Sequence, residues 1–430
     1  MSGTIDRRHF MQHAAAGAAV ATTGAAFLTD VRLQAEMMAK KGKSLIFVHL
    51  GGGPPTIDMW DMKPGSANGG EHKPAKTAAS GIEINERFKK IGEQFKNLSL
   101  IRSMSSGEGD HDRGRFVMNT GHQPSPLVDF PHIGAVLSYL AGKDTERMKN
   151  MDLPMFMSVG GGGSPGFLGM RHAAFTINNA GSPPENVEPY AGSNMQRRSE
   201  LFKLLEGVTP DKLGMKTNVP ADAAKAHKDT YMKALDLVVS SRKDVFKFND
   251  KETKELERYG TGGFGRACLL ARKLVDTGVA CIKLELGGWD LHGQVFNALD
   301  TKLPELDNGF GSLVADLTAS GKIKDTVLCI VGDFGRTPKI NMTNGRDHWP
   351  LCWSVLLGGG NIKGGVAFGS TNPDGTGIQD NKVTPIELFS TLYRGLGIDP
   401  TPANNAEVRD NLGRPYNIGG DNPRHIKELV

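Results

Sequence analysis

The chain has 430 residues, 38% of them hydrophobic and 23% charged, so it belongs with globular proteins that bury a large core, as one large domain or two modest ones, and not with disordered or fibrous chains. Its formal charge of +4 becomes +3 once the first 35 residues are set aside, because that segment holds Arg7, Arg8 and Arg32 against Asp6 and Asp30. So even a balance, with no Lys/Arg cluster interleaved with aromatics, excludes nucleic acid and anionic membrane surfaces as partners.

From the N-terminus, Asp6-Arg7-Arg8-His9-Phe10-Met11-Gln12 precedes a run from Ala14 to Leu28 made only of Ala, Gly, Val, Thr, Phe and Leu. This resembles a twin-arginine signal. The weakly apolar Ala/Gly-rich stretch suits that route better than a Leu-rich secretory core, and it is too short for a comfortable transmembrane helix. The alternative is an amphipathic or disordered tail. The expectation is a signal segment over residues 1–35, cut after Ala35 or kept. Its partner is then the twin-arginine export machinery, and its destination the periplasm or cell surface. No other segment has the length of apolar sequence that a membrane span needs, so the mature chain is expected to have none.

Ser44 to Leu50 is continuously apolar and ends in Gly51-Gly52-Gly53-Pro54-Pro55, the pattern of a buried parallel strand entering a tight loop. Similar runs follow at Leu98 to Met104, Met155 to Val159, Ala280 to Leu286, Thr326 to Val331 and Trp353 to Leu357. Helical patterns occupy Asn194 to Glu206, Ala221 to Arg242, Lys251 to Thr277, Gln294 to Ala319 and Pro385 to Leu396. Such alternation predicts an α/β fold, a largely parallel sheet wrapped by helices. Pro64 to Gly81 and Gly160 to Gly169 read as loops, and residues 181–226 as a small helical cap. Cys268, Cys281, Cys329 and Cys352 have no C-x-x-C spacing, and three of them have apolar neighbours, so they read as buried small hydrophobes.

Polar clusters close to apolar runs are where chemistry is expected, because ligands of open α/β sheets bind beyond the carboxyl ends of strands. Gly287-Gly288-Trp289-Asp290-Leu291-His292 follows one strand and Gly332-Asp333-Phe334-Gly335-Arg336-Thr337-Pro338 another, while Gly345-Arg346-Asp347-His348-Trp349-Pro350 stands just before a third. In extended chain, Asp290 and His292 point the same way and suit one metal; the plainer reading is a hydrogen-bonded loop pair. Mixed Asp and His ligation suits Zn or Mn, whose bound water is a usable nucleophile. Arg336 and Arg346 are candidates to clamp a phosphate or sulfate, or else salt bridges that fix the loops. Ser105-Ser106-Gly107-Glu108-Gly109-Asp110-His111, running into Arg115 and Phe116, reads either as an anion-receiving helix N-terminus or as a capped helix with an acidic loop. No glycine-rich stretch matches a Walker A or G-x-G-x-x-G motif.

In order, Gly52-Gly53-Pro54-Pro55-Thr56-Ile57-Asp58 with Asp61-Met62-Lys63-Pro64, Arg102-Ser103-Met104, Gly107-Glu108-Gly109-Asp110-His111, Trp289-Asp290-Leu291-His292, Asp333 to Pro338 and Gly345 to Pro350 closely resemble the family called domain of unknown function 1501. That resemblance spans nearly the whole mature chain. It implies a relationship to sulfatases and the alkaline phosphatase superfamily, and with it an alkaline-phosphatase-like fold, a large mostly parallel sheet between helical layers. By the same resemblance, Asp290 and His292 are expected to ligate one metal, with Asp333 and His348 contributing to a neighbouring position.

Departures from the superfamily pattern shape the rest of the expectation. Phe334 stands where a histidine ligand usually follows Asp333. The first turn is all glycine, leaving Asp58 as its nearest carboxylate and a fifth candidate ligand. Arg115, Thr120-Gly121 and Pro124 are spaced like the residues that follow the sulfatase nucleophile, which puts His111 where its cysteine or serine would stand. His111 then ligates metal or attacks directly, or the covalent step is absent; Ser105 and Ser106 are substitutes, and Thr56 is adjacent to the expected serine but not equivalent. His111 and Arg115 are therefore the catalytic candidates. The functional expectation is an exported metal-dependent hydrolase of a phosphate or sulfate ester. The alternative is a sulfatase-like scaffold that binds an anionic small molecule, a polysaccharide or an envelope partner.

Overall fold

A computed structural model describes residues 43–149, 151–182, 221–401 and 408–430, with a few isolated positions between 184 and 201. The expected signal segment, the helix over Asn194 to Glu206 and most of the expected cap lie outside the described residues.

An eight-stranded sheet forms the centre. Its strands in chain order are β1 (Ser44–Leu50), β2 (Leu98–Met104), β3 (Phe156–Val159), β4 (Phe175–Ile177), β5 (Cys281–Leu286), β6 (Thr326–Gly332), β7 (Trp353–Gly359) and β8 (Ala367–Phe368). Across the sheet they run β8-β2-β7-β6-β1-β5-β3-β4. Only β7 is antiparallel to its neighbours, so the sheet is mostly parallel, as the apolar runs imply. Every residue of β1 is buried because both faces are covered. Ile46, Val48 and Leu50 join one core with helices Gly263–Asp276, Val295–Leu306 and Ser312–Ala319. Leu45 and Phe47 join the other, beneath Ile133–Gly142 and Pro385–Gly395. This is the expected α/β architecture of a sheet between helical layers.

Local chemistry sets where the helices stop. The pattern over Lys251 to Thr277 is two helices, Asp250–Tyr259 and Gly263–Asp276, because Gly260 takes a φ of 92° and ends the first. The pattern over Gln294 to Ala319 is one helical path that widens to a π turn at Asp307–Gly311. There the Asp307 carboxylate turns outward to accept the Lys90 and Ile91 amides at 3.0 and 2.8 Å. Helix α1 (His111–Thr120) is capped by Asp110, whose side chain accepts the Arg113 amide at 3.0 Å. All four cysteines are free and buried, as expected. No helix among the described residues is long and apolar enough to cross a membrane.

Candidate metal centre

The carboxyl ends of β5, β1 and β6 lie side by side, with Leu50 opposite both Leu286 and Gly332. The three loops that leave them therefore converge. Glycine makes this approach possible. Gly52 has a φ of 110°, and a Cβ there would sit 2.5 Å from the Asp290 amide nitrogen. The Gly52 amide donates instead to Asp333 Oδ2 at 2.9 Å, tying the first loop to the third.

Imidazoles of His111, His292 and His348 gather around one oxygen of Asp290. Their Nε2 atoms lie 3.3, 3.0 and 3.4 Å from Asp290 Oδ1, and those of His292 and His348 are 3.1 Å apart. Each ring is pinned from behind through Nδ1: His111 by Asp333 Oδ2 at 2.8 Å, His292 by Asp347 Oδ1 at 2.7 Å, and His348 by the Gly109 carbonyl at 2.6 Å. With the ring protons on Nδ1, facing these acceptors, His111 and His348 would turn their Nε2 lone pairs to an ion at the centre, while that of His292 also meets Arg336 Nη1 at 3.3 Å. This is how metal-ligating histidines are held. His111 Nε2 has no hydrogen-bond partner, although it is buried. His111, Asp290 and His348 each offer a ligand atom within 4.8 Å of the others. Donors about 2.1 Å from a tetrahedral ion lie about 3.4 Å apart, close to the spacings here. His111, Asp290 and His348 fit a Zn-type or Mn-type ion, with His292 beside them at 3.0 Å from Asp290 Oδ1.

Phe334, where the resemblance expects a ligand, closes the wall behind the cluster. Its ring centroid is 4.9 Å from that of His111 and 4.6 Å from that of His348. Asp333 does not face the cluster directly. Its carboxylate holds His111, the Gly52 amide and, through an ion-pair contact of 2.9 Å, His49 Nε2. Burial alone would raise the pKa of Asp333, but His49, His111 and the amide outweigh burial and lower it. His49 is fully buried between Asp333 and Glu285, whose Oε1 is 2.8 Å from Nδ1. Burial opposes its protonation, and the two carboxylates overcome burial and raise its pKa.

The arginines divide. Arg336 is buried and spends its donors on the Gly52, Gly53 and Arg346 carbonyls, on Asp290 and on His292 Nε2. With His292 and His111 it brings Asp290, whose pKa burial would raise, down to about 2. Arg346 and Asp58 are not brought to the cluster, because they are spent on each other in a buried two-point pair at 2.6 and 2.7 Å. Neither is placed for the anion-binding or ligand role expected of it. Arg115 is different: its side chain is 46% exposed, and its nearest polar contact is Nε at 3.8 Å from Asp333 Oδ1.

The residues profiled for the family described as "Protein of unknown function (DUF1501)" match this chain over 42–430. The chain belongs to that family. No curated protein sequence matches it. Among solved structures it is similar to the PsFucS1 sulfatase from Pseudoalteromonas sp., at 14% identity and a TM-score of 0.40 over 86% of this chain and 72% of that one. It is similar to the lipoteichoic acid synthase LtaP from Listeria monocytogenes at 12% identity and a TM-score of 0.37, over 88% and 76% of the two chains. Alkaline phosphatase from the Antarctic bacterium TAB5 gives 12% identity and a TM-score of 0.32, over 83% and 98%.

Sequence reasoning named His111, Asp290, His292 and His348, and the fold brings these four together. It missed His49, Glu285 and Asp347, which hold the cluster from behind. A signal for the first pair was present: His49 and Glu285 are ionisable residues inside largely apolar strands, and they stand in register. Of the substitute nucleophiles, Ser106 is buried and Ser105 half-buried, while the neighbouring Thr56 Oγ1 accepts the Ser354 amide at 3.1 Å. Among the described residues, no hydroxyl or thiol hydrogen-bonds to the side chains of the cluster.

Proposed function

We propose that the chain is a metal-dependent hydrolase of a phosphate or sulfate ester. The observation that carries this reading is the convergence of three pinned imidazoles on Asp290 Oδ1. His111, His292, His348 and Asp290 would hold one Zn or Mn ion, which when bound supplies a Lewis acid and a water acidic enough to ionise near neutral pH.

The protein's own groups do the rest. Asp333 fixes the tautomer of His111, and His49, charged between Asp333 and Glu285, keeps that carboxylate in place. Arg336 anchors Asp290 against the loop carbonyls. Arg115, with unspent donors one residue away from His111 through Asp333, receives the oxygens of the ester. With no hydroxyl or thiol bonded into the cluster, the ester is attacked by water in one displacement, without a covalent enzyme intermediate. Export by the twin-arginine route to the periplasm or cell surface belongs to the same proposal, carried by Arg7-Arg8 ahead of the Ala14 to Leu28 run.

One observation favours a second reading, a scaffold that binds an anionic ligand without cleaving it. The Arg336 guanidinium already reaches Asp290 and lies 3.3 Å from His292 Nε2, so it supplies positive charge to the cluster. Turnover of 4-nitrophenyl phosphate and 4-nitrophenyl sulfate with added Zn or Mn separates the two. Hydrolysis that disappears in His111→Ala supports the enzyme; binding of these esters without any release of nitrophenol supports the scaffold.

A further inference from the structure

Beside the cluster lies a cleft of about 400 Å³, lined by Arg115, Lys283, Glu285, His132 and the loop Gly160 to Ser164. It is continuous with the site through Glu285, which both lines the cleft and holds His49. Its walls are largely apolar, Phe116 and Phe130 among them, and carry a few hydrogen-bond donors without a protein acceptor. The amides of Gly161, Gly162 and Gly163 make no hydrogen bond among the described residues. His132 lines the cleft and is 1% exposed. Its Nδ1 accepts the Gly134 amide at 2.8 Å, so the ring proton sits on Nε2, and Nε2 has no partner. Lys283 adds a cation held to the Gly162 carbonyl at 3.0 Å and to Glu285 at 3.2 Å.

Glu285 is spent on His49 and Lys283, and the Asn119 side-chain oxygen and the Gly160 and Gly161 carbonyls accept no hydrogen bond among the described residues. Two cations, Arg115 and Lys283, face one carboxylate, Glu285, and the buried His132 Nε2 donor faces no acceptor.

We infer that this cleft binds a second anionic group of the ligand, a carboxylate, sulfate or phosphate carried on the part of the molecule beyond the ester. The inference rests on the reading of the cluster as the site that takes the ester. A substrate with a single negative group leaves the donors of the glycine loop unanswered, whereas a doubly anionic one spans the metal centre and the cleft with Arg115 between them. The space accommodates about one sugar-sized ring.

The test uses a matched pair, glucose 1-phosphate and glucuronic acid 1-phosphate, which differ only at C6, a hydroxymethyl group in the first and a carboxylate in the second. Binding of both to the full chain is measured by calorimetry, beside a Gly162→Asp variant. A Cβ at Gly162 meets nothing within 4 Å, so this exposed position accepts the side chain, which places a competing carboxylate in the cleft. The uronate is expected to bind about tenfold more tightly than the hexose to the wild type, with the gap lost in the variant. Equal binding of the two ligands, no binding of either, or a gap that survives Gly162→Asp overturns the inference. Hydrolysis of simple esters with no preference for the uronate sinks the cleft and leaves the hydrolase standing. A preference for the uronate with no hydrolysis of either compound does the reverse.

Discussion

Arg346 grips Asp58 across 288 positions of sequence, Nε to Oδ2 at 2.6 Å and Nη2 to Oδ1 at 2.7 Å, with both side chains buried. Its remaining donors reach the Thr337, Pro338 and Asn68 carbonyls. The pair ties the loop after β1 to the segment that delivers His348. Asp58→Ala leaves an unpaired buried guanidinium and is expected to cost about 3 to 5 kcal/mol in chemical denaturation. The variant that still folds should retain its metal. Loss of metal without loss of stability would put Asp58 back among the ligands.

Arg336 is expected to behave otherwise. Removing it in Arg336→Met strands the Gly52 and Gly53 carbonyls and frees Asp290, so it should lower stability by about 3 kcal/mol. Arg336→Lys should rescue little, because one ammonium cannot span the carbonyls and the carboxylate that the planar guanidinium reaches together. Thermal unfolding of the two variants side by side checks this.

Much of the fold was legible in the sequence. β1 and β2 match their predicted runs end to end, because a strand covered on both faces is mainly apolar, with the few polar residues such as His49 and Ser99 finding partners. The edge strands Phe175–Ile177 and Ala367–Phe368 were missed, since two or three half-exposed residues carry no period. The helix Ile133–Gly142 went unread for the opposite reason, being apolar on nearly every side. At the site, motif residues could be named but not sorted. Arg336 and Arg346, Asp58 and Asp290 look alike in sequence, and only the packing decides which of them faces the cluster and which is spent in a buried pair.

His49 makes the cluster sensitive to alkali. Its folded pKa is raised above 6.5, so the stability it contributes is complete below that value and is lost as pH rises through the folded value. Urea unfolding of metal-free protein should therefore show wild type exceeding His49→Gln most at about pH 6, with the difference shrinking toward about pH 9. A constant difference would mean that folding does not shift the titration of His49.

Gly52 tests the backbone. Gly52→Ala forces a positive φ on a residue with a Cβ and drives that carbon toward the Asp290 amide, at 2.5 Å in the present geometry. A loss of about 2 kcal/mol is expected. Metal affinity should fall with it, because the loop carrying Asp290 and His292 must move. Stability measured by denaturant and affinity measured by competition with a chelator report the two effects separately.

Whether His111, Asp290, His292 and His348 hold an ion is decided by elemental analysis of the purified wild-type chain beside an Asp290→Ala/His292→Ala double variant. About one Zn or Mn per wild-type chain is expected, and none in the folded variant. A well-folded wild type that stays metal-free after incubation with both ions would contradict that expectation.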